Sequence, residues 1–111
     1  MTRTLGTVLS ISGVPVRLTM ERWSHIVEAH DYMAGPHEWV MEVVAEPDAV
    51  GAGSAYTLLA TQHRNHTPIS EIDIIVAYRE LGLEDGFVVT AFMTSRVDKA
   101  LRRGVIWQRS T

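Results

Sequence analysis

The chain predicts an α+β fold, with two N-terminal helices packed on a four- to five-stranded antiparallel sheet. Apolar residues recur at helical spacing between Met20 and Glu46, and at strand-like spacing from Ala55 onward. The strand-like runs are joined by short loops, which favours antiparallel neighbours. At 111 residues, 46% apolar and 21% charged, the chain has the size and composition of one domain that buries a core without metal or disulfide. Residues 1–18 read as an N-terminal hairpin, 19–46 as the helices and 55–109 as the sheet.

Each element has its own signal. Thr7 to Ile11 and Val14 to Leu18 are two short β-like runs, with Gly13 placed for the turn and Pro15 for an edge. Thr19 suits an N-cap, and the helix Met20 to His30 follows. On a helical wheel Met20, Trp23, Ile26 and Val27 form one stripe, with His30 near its centre and His25 roughly opposite. Asp31 to Gly35 breaks the pattern. Pro36 suits the first turn of a second helix running to about Glu46, with Trp39, Val40, Val43 and Val44 on its apolar side. Glu38, Glu42 and Glu46 read as its solvated face. Pro47-Asp48 ends that helix, and Gly51-Ala52-Gly53-Ser54 reads as a flexible turn. Strands are expected over Ala55 to Gln62, Glu71 to Glu80, Gly86 to Arg96 and Gly104 to Arg109, with loops over His63 to Pro68 and Leu81 to Asp85.

The stretch Gly86 to Arg96 is the most informative. Strict alternation puts Phe87, Val89, Ala91 and Met93 on an apolar face. The other face carries Val88, Thr90, Phe92, Thr94 and Arg96. Two readings fit: a central strand whose threonines serve β-propensity, or a shallow anion-binding surface made by Thr90, Thr94 and Arg96.

Charge and composition exclude several functions. The net charge of −3 argues against an indiscriminate nucleic-acid binder, yet residues 96–111 hold five bases against Asp98 alone. A solvated basic end and a local phosphate-binding edge both fit. There is no cysteine, so thiolate chemistry is out. No stretch approaches the roughly 18 apolar residues of a membrane span, and the first residues are too polar for a signal peptide, so no membrane partner and a cytoplasmic location are expected. His63 and His66 stand three apart in a presumed loop without a His-Glu-x-x-His run, so no metal site is expected. Gly-x-Ser-x-Gly and phosphate-loop glycine patterns are absent, and no cofactor is expected.

Histidines on a first helix with Thr, Ser and Arg on a sheet suit metal-free RNA cleavage. There the 2′-hydroxyl is the nucleophile, histidine the acid or base, and arginine the clamp on the phosphate. The string Val16 to His30, Val-Arg-Leu-Thr-Met-Glu-Arg-Trp-Ser-His-Ile-Val-Glu-Ala-His, resembles the helix of a family of small phage- and prokaryote-associated domains. That family is grouped with barnase, EndoU, colicin tRNases and RelE as one nuclease fold. The resemblance continues through Pro47-Asp48, Val89-Thr90-Ala91-Phe92-Met93-Thr94-Ser95-Arg96 and Trp107. It departs from the family pattern at Asp31-Tyr32 and over Leu58 to His66.

The resemblance implies a metal-independent endoribonuclease of toxin or phage type, acting on RNA such as tRNA or mRNA, with an antitoxin or immunity protein as a further partner. It places His25, His30, Thr90, Thr94 and Arg96 at the catalytic positions. Arg79, Ser95, Arg102 and Arg103 are the expected nucleic-acid contacts. The alternative is a non-catalytic module of the same fold that binds a protein or nucleic acid.

Overall fold

A computed structural model describes residues 3–33, 35, 37–67 and 70–110. Its elements run β1 (Thr4–Leu9), β2 (Pro15–Thr19), α1 (Met20–Ala29), a 3-10 turn (Asp31–Met33), α2 (Glu38–Ala45), β3 (Ala49–Ala52), β4 (Leu58–Thr67), β5 (Ser70–Glu80), β6 (Gly86–Thr94), α3 (Val97–Ala100) and β7 (Val105–Gln108). All the described strands join one seven-stranded sheet in the order β1-β2-β6-β5-β4-β3-β7.

The hairpin and first helix form as their residues dictate. β1 and β2 pair antiparallel, with Val8 opposite Val16, and Gly13 takes the positive φ of 78° that the turn requires. Thr19 caps α1 by accepting a hydrogen bond from the Arg22 N–H at 3.2 Å. α1 buries Ile26, and α2 buries Val40, Met41, Val43 and Val44. These side chains meet Val16, Leu18, Ala60, Ile74, Val76, Tyr78, Val88 and Ala91 in one core on one face of the sheet. Glu38, Glu42 and Glu46 are exposed, and Glu42 pairs with Arg64 at 2.6 Å.

The expected architecture is corrected here. The sheet is mixed and has seven strands, with three short helices, not two N-terminal helices on four or five antiparallel strands. The N-terminal hairpin is part of the sheet, because β2 runs parallel to β6 through the pair Arg17 and Phe87. At the other side β3 pairs antiparallel with β4 and with β7. The parallel pair joins segments about seventy residues apart in the chain, so no local pattern signals it.

Three local corrections follow. Residues 49–52 form a strand where a flexible turn was expected at Gly51. A Cβ on Gly51 would lie 2.6 Å from Leu101 Cδ2 and 2.9 Å from the Gly104 carbonyl, so this glycine serves close approach of another segment. Residues 63–67, expected as loop, continue β4 opposite β5. Pro36 and Pro68, assigned to a helix start and a loop, lie outside the described residues. In β6 a bulge sets Thr90 opposite Ala77 and Val88 opposite Tyr78, leaving Val89 over. The bulge breaks the alternation, so Val88 and Ala91 both face the core, and the apolar face expected for Phe87, Val89, Ala91 and Met93 does not exist as such.

After β6 the chain crosses to the opposite edge of the sheet. α3 and the turn after it lie on the face away from α1 and α2, with Leu101 against Gly51, before β7 pairs with β3. This crossover builds the site.

Candidate anion-binding groove

A cavity of ≈ 360 Å³ opens on the sheet face opposite the two main helices. Its floor is Leu59 of β4, Ala77 of β5 and Val89, Thr90 and Phe92 of β6. The bulge explains why consecutive residues Val89 and Thr90 both line it. One wall is the crossover, which contributes Lys99, Ala100, Arg102 and Arg103. The other is the β3–β4 connection, with Gly53, Ser54 and Thr57.

That connection is tightly made. The Gly53 N–H donates to the Thr57 carbonyl at 2.9 Å, and the Thr57 N–H to the Ser54 carbonyl at 3.0 Å. Thr57 Oγ1 also donates to the Ser54 carbonyl, at 2.6 Å. Between them Ala55 and Tyr56 both have left-handed backbones, with φ of 53° and 62°. This is the pattern of a type I′ turn, which favours Asn-Gly; each left-handed L-residue costs about 1–2 kcal/mol.

Lys99, Arg102 and Arg103 are exposed and form no ion pair among the described residues. Three cations beside the hydroxyls of Ser54 and Thr90 make the groove a candidate site for an anion such as phosphate, while the Thr57 hydroxyl proton is already committed to the Ser54 carbonyl. A smaller cavity of ≈ 220 Å³ lies by Arg17, Thr19, Arg22, Phe87 and Val88, but there Arg17 is already paired with Asp85.

The structure gathers some of the expected site residues and separates others. Thr90, Arg102 and Arg103 meet in the groove. Thr94 and Arg96 stand beyond it: Thr94 Oγ1 accepts from the Arg96 N–H at 2.9 Å, and Arg96 Nε lies 3.8 Å from Asp98. Ser95 is exposed at the end of β6, and Arg79 is on β5 opposite Phe87; neither lines the groove. His25 is exposed on α1. His30 caps α1, with Nδ1 3.0 Å from the Tyr32 hydroxyl and its ring 6.0 Å from that of Phe92. The Tyr32 hydroxyl in turn accepts from the Met93 N–H at 3.4 Å. His30 therefore reaches the groove only through the Phe92 ring.

Sequence reasoning missed Lys99, Ser54 and Thr57, because residues 97–103 read as part of a basic end and 51–54 as a flexible turn. It also missed Asp73, which lies 3.6 Å from His63 Nδ1 and opposite Thr94. Only the register of β4, β5 and β6 brings those three residues into one row. The His66 side chain lies outside the described ones, and among the described residues no group of three or more His, Asp or Glu is placed to hold a metal. No described helix is long and apolar enough to cross a membrane.

Compared with protein-family models, curated proteins and solved structures, the chain matches none.

Proposed function

We propose that the protein is a nucleic-acid-binding module that takes RNA phosphates in the groove between the sheet and the crossover. The observation that carries this reading is the convergence of Lys99, Arg102 and Arg103 on Thr90 in a chain whose net charge is −3. An acidic protein with three cations around one cavity, none of them in an ion pair among the described residues, concentrates its attraction for anions there. The sequence motifs similar to those of the phage-associated nuclease-like domains are the reason for taking RNA as the anion, and a cytoplasmic setting with it.

The test is equilibrium binding of a labelled RNA oligomer to wild type and to the Arg102→Ala/Arg103→Ala variant. Loss of two phosphate contacts is expected to weaken binding about tenfold at moderate salt and to flatten its salt dependence. Arg96→Ala, outside the groove and beside Asp98, is expected to change affinity less than threefold. Equal affinity for wild type and the double variant would overturn the reading.

A second reading, a metal-independent ribonuclease, is favoured by one contact: Phe92 both lines the groove and abuts His30. In that case the nucleotide extends past the Phe92 ring to His30, which exchanges a proton with the 2′-hydroxyl or the leaving oxygen, while the cations hold the phosphate. A neutralising antitoxin or immunity protein belongs to this reading. RNA cleavage that survives excess chelator and disappears in His30→Ala, with binding retained, would establish it. Binding without cleavage leaves the module.

A further inference from the structure

The turn at the groove's mouth is built against its own stability. Tyr56 is 91% exposed, the most exposed of the large apolar side chains among the described residues. Its burial on folding is close to nil, so the ring adds nothing to the core. It also occupies a left-handed position that glycine fills at no steric cost. Backbone strain of this kind persists where the surroundings enforce it, and it clusters at ligand clamps.

The flanking residues place the turn at the rim of the groove. Ser54 and Thr57, on either side of the Ala55–Tyr56 pair, both line the cationic groove. An exposed aromatic ring on a turn whose flanking residues line a cationic groove is the pairing that single-stranded nucleic acid requires. The cations track the backbone while the ring stacks on a base. A duplex presents no free base face, and a cavity of ≈ 360 Å³ does not admit one. Proteins that read double-stranded RNA contact phosphates and sugars over a wide surface instead.

We therefore propose that Tyr56 is a base-stacking residue and that the ligand of the groove is single-stranded RNA. This inference rests on the phosphate-binding reading above and adds the strandedness and the stacking contact. Tyr56 holds a base unstacked from its neighbours while Lys99, Arg102 and Arg103 hold the adjoining phosphates. Because every base has a π-face, the contact tolerates any sequence.

The experiment measures binding of an eight-nucleotide single strand, the same strand with abasic sites, and a hairpin duplex. The proteins are wild type, Tyr56→Phe, Tyr56→Gly and the Arg102→Ala/Arg103→Ala variant, with thermal denaturation of each alongside. Tyr56→Gly is expected to raise the melting temperature, because glycine relieves the left-handed strain, and to weaken single-strand binding roughly tenfold. Opposite signs on stability and binding mark a ring kept for a ligand. Tyr56→Phe keeps the affinity, wild type binds the abasic strand as weakly as Tyr56→Gly binds the intact one, and the duplex binds less tightly than the single strand.

Unchanged binding by Tyr56→Gly, or equal loss in Tyr56→Phe, overturns the stacking assignment. If the arginine variant still loses affinity in that case, the phosphate reading survives alone. If wild type binds none of these RNAs, both fall. An acidic polypeptide such as polyglutamate that binds with the same dependence on Tyr56 would move the site to a protein partner and overturn the RNA assignment.

Discussion

Tyr78 heads the fully buried side chains by volume, and its hydroxyl has no hydrogen-bond partner among the described residues. Burial, and secondarily the Glu80 carboxylate, push its ionisation well above the ordinary tyrosine value of 10.0. An acid whose folded pKa is raised stays neutral in the native state while the unfolded chain ionises. Stability is therefore unaffected below about pH 10 and falls as pH rises above it, by up to about 1.4 kcal/mol per pH unit from this group. Tyr78→Phe removes both the orphaned hydroxyl and that slope. It is expected to match or exceed wild type by about 1 kcal/mol at pH 7, with the gap widening in urea melts at pH 10–11. A variant less stable than wild type by more than 1 kcal/mol would mean that the hydroxyl has a partner.

Among the elements, the crossover from β6 to β7 matters most for the proposed function, and Gly51 bears on how it sits. Gly51→Ala puts a methyl against Leu101 and the Gly104 carbonyl, and a backbone oxygen yields poorly. The expected cost is about 1–3 kcal/mol, or roughly 4–8 °C of melting temperature per kcal/mol for a domain near this size. Because Leu101 sits between Ala100 and Arg102, displacement of this segment should weaken RNA binding as well. A variant with unchanged melting temperature and affinity would show that the crossover tolerates a shift. The bulge in β6 acts at the same scale: one extra residue, Val89, turns Thr90 into the groove and keeps Val88 and Ala91 in the core.

At the scale of the whole molecule, the fold has two working faces. One side of the sheet is spent on the core with α1 and α2, and the other carries the groove. The net charge of −3 sets the surroundings of that groove. Three cationic contacts imply a log–log salt slope near −2, at about −0.7 per phosphate neutralised on a single strand, rather than the steep slope of a protein basic all over. A slope near zero in titrations from low to moderate salt would remove phosphate from the account.

Much was legible in the chain because it is local. Thr19 at the cap, Gly13 in the turn, the stripe of Ile26 and the run Val40 to Val44 follow from bonds and contacts within a few residues. The basic character of residues 96–111 was legible too. Tertiary structure alone decided the rest. Side-chain parity after Val89 depends on a bulge that the pairing with β5 creates. The strand at Ala49–Ala52 exists because β4 and β7 flank it, not because Ala-Val-Gly-Ala favours extension. The parallel β2–β6 pair and the crossing to β7 join residues with no sequence relation, and loop-closure entropy leaves no local trace of such contacts. That crossing decided which residues share the groove. It set Lys99, Arg102 and Arg103 over Thr90 and beside the turn of Tyr56, while His25, Thr94 and Arg96 stayed outside the groove.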